Sequence, residues 1–177
     1  AYAMGYEGYP ELQATLRSLV RQRLTAEQRF ALTAAIDPDN LMQTVLRNDM
    51  QNIRKTVDAL SREAFEQAVS AIIRARRIYI IGLRSAAPLA QFMYHYLHQV
   101  CDDVVLAGNA TVDACEEVER ITGEDVLIGI SFPRYSSRTV ECMGLARQGG
   151  ATVIGITDGD MSPLREASHI CLCAATD

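Results

Sequence analysis

The stretch Asp125–Ser137, DVLIGISFPRYSS, decides how the rest of the chain is read. Its apolar run, Val126 to Ile130, has the length of a buried strand and stops abruptly at Ser131. A loop with Pro133, Arg134 and Tyr135 follows, and a helical pattern begins near Ser136. Strand, polar loop and helix start form a corner that can hold an anion. The first turn of a helix leaves backbone N–H groups without intrahelical partners and carries the positive end of the macrodipole, so a phosphate docked there gains donors and favourable charge together. Ser131, Ser136 and Ser137 add hydroxyl donors. The plainer role for Ser136 or Ser137 is the N-cap of the following helix, the commonest task of a serine at that position.

Moving outward, runs of the same form recur at Ile78 to Ile81, ending at Gly82, and at Val104 to Leu106, Thr152 to Ile156 and Ile170 to Cys173. Between them lie helical patterns at Ala86 to Val100, Val112 to Ile121, Ser137 to Gln148, closed by Gly149 and Gly150, and a short one opened by Ser162 and Pro163. This alternation predicts an α/β fold: a five-stranded parallel, doubly wound sheet with right-handed crossovers and helices on both faces. The flavodoxin-like order 2-1-3-4-5 makes strands one and three neighbours and puts a ligand crevice outside their carboxyl ends. The loop after strand one, GLRSAAPLA from Gly82, sets Arg84 and Ser85 at a helix start, so two hydroxyl-rich, arginine-bearing loops converge on that crevice. Arg84 and Arg134 supply charge, and Ser85, Ser131, Ser136 and Ser137 supply hydroxyl donors. With no G-x-G-x-x-G after strand one and no G-x-x-x-x-G-K-[ST] loop, a small phosphorylated ligand is expected rather than a nucleotide.

The part before the sheet reads as helical. Pro10 suits the first turn of a helix over Glu11 to Leu24, Thr25 with Gln28 forms a capping box opening a short helix toward Ile36, and Asp37 with Pro38 starts a third that runs to about Leu60. The third carries a narrow apolar seam of Met42, Leu46, Met50, Ile53, Val57 and Leu60. Ser61 begins a further helix expected to bury Phe65, Ala68, Val69, Ile72 and Ile73, with Arg74, Arg76 and Arg77 at its end. The expected division is therefore a helical segment, 1–60, and an α/β domain, 61–177. A net charge of −5 and a pI near 5.2 argue against a nucleic-acid-binding surface on this chain. No apolar run approaches the roughly 20 residues that span a bilayer, so a soluble, cytoplasmic protein with no membrane contact is expected. Five cysteines, without a C-x-x-C pair, suggest neither a disulfide framework nor a zinc site, and are read as thiols in a core. Asp158 and Asp160 flank Gly159 in a turn before the Ser162 cap rather than a metal loop. No metal and no cofactor is expected.

IIGLRSAAPLA (80–90), GISFPRYSSRTVE (129–141) and GATVIGITDGDMSPLREASHICL (150–172) resemble the signature stretches of the SIS (sugar isomerase) phosphosugar-binding domain, over roughly Glu63 to Asp177. The resemblance implies that serines after strands one and three hold a phosphate, which places the role on Ser85, Ser131 and Ser136, with Ser137 beside them. The family often has a second glycine where Arg84 stands and Ser-Gly where Pro133 and Arg134 stand, departures that bear on sugar specificity more than on phosphate binding. MGYEGYPELQATL (4–16) resembles the end of the helix-turn-helix domain of RpiR-type bacterial transcriptional regulators, and the long helix resembles their linker. This implies an effector-sensing part that binds a sugar phosphate and controls operator binding by an upstream domain absent from this chain. It also implies that the family's closing helix after the last strand is missing.

The alternative on the same fold is a phosphosugar isomerase, which needs a general base beside the sugar. His95, His98 and His169 lie in no motif that fixes them near the serine loops, and Glu141, the best carboxylate, has an ion pair with Arg138 as its plainer role. A non-enzymatic sensor is therefore expected. The seam from Met42 to Leu60, with Leu89, Phe92, Met93 and Tyr96 after strand one, suggests a homodimer or homotetramer.

Overall fold

The computed structural model describes residues 9, 27, 28, 40–108 and 112–176. The helix expected over Glu11 to Leu24, the one from Thr25 to Ile36 apart from residues 27 and 28, the start signal at Asp37 and Pro38, and most of the stretch 4–16 lie outside the described residues. The backbone divides into two compact units, residues 1–52 with residue 177, and residues 53–176. Helix α1, Leu41–Ala59, runs through the position of the division and buries none of its residues.

In the second unit, α2 (Arg62–Arg74) is capped by Ser61, whose hydroxyl accepts from the N–H of Ala64. Five strands follow: β1 (Ile78–Gly82), β2 (Val104–Ala107), β3 (Val126–Ile130), β4 (Thr152–Thr157) and β5 (Ile170–Cys173). They form one parallel sheet in the order β2-β1-β3-β4-β5, as the alternation requires. The crossovers carry α3 (Ala87–Leu97), α4 (Ala114–Val118), α5 (Ser137–Gln148) and α6 (Pro163–Ala167). Successive strand residues face opposite sides of the sheet. Ile78, Ile80, Val126 and Ile128 pack with Ala68 of α2, with Ala86 at the start of α3 and with Ala90 within it, whereas Tyr79, Ile81, Leu127 and Val153 pack with α4, α5 and Leu164 of α6. β1 and β3, buried along their whole length, are therefore the continuous apolar runs that a doubly covered parallel sheet demands.

Several expectations are corrected. On α2 only Ala68 is buried, and Phe65, Val69 and Ile73 are exposed, because the helix meets the sheet through a strip of Ala68, Ala71 and Ile72 and turns the residues on either side outward. α3 ends at Leu97 and is preceded by a 3-10 turn, Arg84–Ala86. α4 has five residues, since Thr122 donates through its N–H and hydroxyl to Asp125 and pulls the chain out of the helix toward β3. Cys115 and Cys142 are not free thiols. α4 packs on α5 with the two Cα atoms 5.0 Å apart, and the side chains form a disulfide. Cys101, Cys171 and Cys173 remain free.

Candidate functional site: two serine loops at the mouth of the sheet

Gly82 and Ile130, the last residues of β1 and β3, are register partners, so the loops that follow them leave from adjacent strand ends. In the β3 loop the hydroxyls are ordered by backbone bonds. Ser131, 4% exposed, accepts the N–H of Ser136 on its Oγ at 3.0 Å. Ser136 is the N-cap of α5 and accepts the N–H of Thr139 at 3.2 Å. Each hydroxyl still has its proton to donate. The N–H groups of Ser137 and Arg138 precede the first intrahelical bond, so they remain donors at the positive end of a 12-residue helix. Ser137 is exposed. In the same turn, buried Thr139 has a hydroxyl oxygen without a hydrogen-bond partner among the described residues, a feature that sequence reading missed.

The β1 loop is built differently. Arg84 and Ser85 sit exposed in the 3-10 turn, and no side chain caps either that turn or α3. Arg84 at φ 59° and Arg134 at φ 72° are the non-glycine residues with positive φ among those described. This left-handed backbone costs a non-glycine residue on the order of 1–3 kcal/mol, and the signal for it was in the sequence, since each arginine stands where the SIS pattern often has glycine.

Tyr135 ties the β3 loop to the next one. Its hydroxyl donates to Asp158 Oδ1 at 2.8 Å, and burial followed by this carboxylate pushes its pKa up, so it stays protonated. Thr157 donates to the same oxygen at 3.1 Å and lies 2.6 Å from Ser162, the N-cap of α6. Asp160 pairs with Arg165 at 2.9 Å. The two aspartates thus hold a turn. Other charged neighbours are also engaged: Arg138 binds Asp113 and donates to Glu141 at 2.8 Å. His169 lies at the opposite, amino-terminal end of the sheet, where its Nδ1 accepts from the N–H of Val153 at 3.0 Å and burial, then Arg147, holds its pKa below the usual value. His95 contacts Gln99, and His98 stacks on Tyr94.

Two hollows lie elsewhere. A groove of about 640 Å³ runs between Arg77, Arg120, Tyr79, Val105 and the carboxylates Glu116, Glu117 and Glu119. A second, of about 540 Å³, is lined by Glu63, Glu66 and Glu124 at the amino-terminal end of the sheet. Carboxylates outnumber arginines in both hollows, which disfavours a phosphate there, whereas the serine corner presents donors.

Comparison with known proteins agrees with this architecture. The SIS domain family model matches residues 71–177, and the chain belongs to that family. It is 28% identical over 175 residues to the HTH-type transcriptional regulator HexR of Pseudomonas aeruginosa, covering 96% of this chain and 59% of that protein. The crystal structure of the sugar isomerase domain of an RpiR transcription factor from Sphaerobacter thermophilus superposes with a TM-score of 0.73 at 28% identity, covering 78% of this chain and 77% of that one. The Vibrio vulnificus NanR protein, solved in complex with ManNAc-6P, shares the fold with a TM-score of 0.65 at 18% identity, over 99% of this chain and 60% of that one. The chain spans 57–61% of the length of the curated HTH-type regulators that it matches.

Proposed function

We propose that this chain is the effector-binding part of an RpiR-type transcriptional regulator, and that it binds a sugar phosphate without turning it over. The observation that carries the reading is the β3 corner, where Ser131 orders the N–H of Ser136, Ser136 caps α5, and the donors of Ser137 and Arg138 stay open beside the end of β1. Ser85, Ser131, Ser136 and Ser137 are its hydroxyl donors to the phosphate, with Arg84 and Arg134 as its cations. The relatives named as HTH-type regulators, and a same-fold protein complexed with ManNAc-6P, support the assignment. Operator DNA is engaged through a helix-turn-helix domain outside this chain, in keeping with the net charge of −5. The segment 1–60 holds the tail of the helix-turn-helix domain and a helical linker to the SIS domain in 61–177, the protein works in the cytoplasm, and the assembly is a homodimer or homotetramer.

The absence of turnover rests on where the candidate bases are committed. Glu141 is paired with Arg138, and His169 is bonded to backbone at the far end of the sheet. The test combines calorimetric titration with a panel of aldose and ketose phosphates and NMR observation of the same mixtures over hours. Saturable binding of at least one compound with no interconversion is expected. Interconversion abolished by Glu141→Gln would overturn the non-enzymatic reading.

A further inference from the structure

The disulfide joins α4, a helix of five residues, to α5, the helix that carries the site. Cys115 is the second residue of α4, and Cys142 lies six residues after the Ser136 cap, about 9 Å along α5. Both are buried, at 4% and 0% exposure. The other polar tie between these helices is the ion pair of Arg138 with Asp113, the N-cap of α4, and both its partners are 41% exposed. Screening by water makes such a pair a weak clamp. The covalent bond therefore decides how firmly α4 is held against α5, together with the burial of Ala114 and Val118.

We infer that the Cys115–Cys142 disulfide is a redox latch that sets the affinity of the serine corner for its phosphorylated ligand. The inference rests on the reading above in two respects: a cytoplasmic disulfide is usually transient and redox-sensing, and the ligand site is the α5 corner. Opening the latch takes two electrons from two thiols of a low-molecular-weight thiol such as glutathione. One thiolate attacks a protein sulfur and forms a mixed disulfide, and the second releases it. Cys115 and Cys142 gain one hydrogen each and the donor leaves as glutathione disulfide. Closing reverses the balance with glutathione disulfide as the oxidant. Since both sulfurs are buried, exchange proceeds through local opening of the five-residue α4. With the latch open, α4 and the first turn of α5 lose a constraint, and the phosphate must order donors that were already fixed in the closed state.

The experiment equilibrates the full chain in reduced or oxidised glutathione, traps thiols by alkylation for mass spectrometry, and measures amide hydrogen exchange before titrating inorganic phosphate and glucose 6-phosphate. Reduction is expected to leave Cys115 and Cys142 alkylated, to speed exchange at 113–118 and 137–142, and to weaken binding by at least about fivefold. The double variant Cys171→Ser/Cys173→Ser controls for the free pair on β5, whose sulfurs are 4.0 Å apart, and is expected to keep the response. Cys115→Ala/Cys142→Ala is expected to bind with the reduced affinity in both buffers. Equal exchange in the two redox states, or a response lost with Cys171 and Cys173 instead, overturns the latch. If neither phosphate compound binds in either state, the latch fails as a control of phosphate affinity, whereas the effector reading stands or falls on the full panel of aldose and ketose phosphates.

Discussion

Ser131 and Ser136 both read as hydroxyl donors in the sequence, and the fold gives them successive tasks, one fixing the cap residue and the other capping the helix. Ser136→Ala is expected to cost about 1 kcal/mol of stability through the lost cap. Ser131→Ala also leaves a backbone donor without its partner. If both hydroxyls grip a phosphate, each replacement lowers affinity by roughly ten- to a hundredfold, which calorimetric titration beside thermal melts separates from the stability cost. A capping role alone predicts lower melting temperatures with affinity retained. Arg134 invites a cleaner separation. Arg134→Gly relieves the strain of φ 72° while freeing the unfolded chain, two effects that largely cancel. Its stability should stay within about 1 kcal/mol of wild type while sugar-phosphate affinity falls, and unchanged affinity would remove this arginine from the site. That the four serines and two arginines stand in the loops after β1 and β3 was legible in the sequence, because strand-loop-helix punctuation exposes such positions. Which of Ser136 and Ser137 caps, and the pairing of Cys115 with Cys142, were not, since each depends on how chain segments meet in space.

At the scale of elements, the strands were read almost to the residue, because β-branched runs between helical patterns have few alternatives in a sheet buried on both faces. The outward face of α2 and the short α4 were misread, since hydrophobic spacing says which residues share a face but not how much of it is covered. Two elements make testable claims. Gly82 ends β1 where an added Cβ would stand 2.8 Å from the carbonyl oxygen of Ala86 and 2.9 Å from Cβ of Ala90. Gly82→Ala is therefore expected to lose about 1–3 kcal/mol and to displace the turn bearing Arg84 and Ser85, lowering both melting temperature and affinity. At the other end of β3, Asp125, 1% exposed, accepts from Arg76 at 2.8 and 3.0 Å and from Thr122. Burial pushes its carboxyl up, but Arg76 and the Thr122 donors outweigh that and hold it below the ordinary range. A folded value below the unfolded value, near 4, means that its contribution is complete above about pH 4 and is lost as pH falls through the folded value. Asp125→Asn should be less stable at neutral pH by about 1–3 kcal/mol, yet lose less on acidification below pH 4 than wild type. Parallel acid-titration slopes for the two proteins would contradict this.

At the scale of the molecule, large apolar side chains stand exposed among the described residues: Met42, Met50, Ile53 and Val57 on α1 at 65–72%. Phe65 and Ile73 on α2 and Phe92 on α3 are 49%, 75% and 63% exposed. Patches of this kind mark association surfaces, so sedimentation at micromolar concentration is expected to return a dimer or tetramer, and a monomer alone would contradict the expectation. The assignment of the ligand site is tested most directly by an amide NMR titration of the chain with the sugar phosphate that binds best in the calorimetric panel. The account predicts saturable shifts concentrated at Arg84, Ser85 and the segment Ser131–Thr139. Shifts confined to the acidic groove beside Arg77 and Glu116, with the serine loops unmoved, would contradict it.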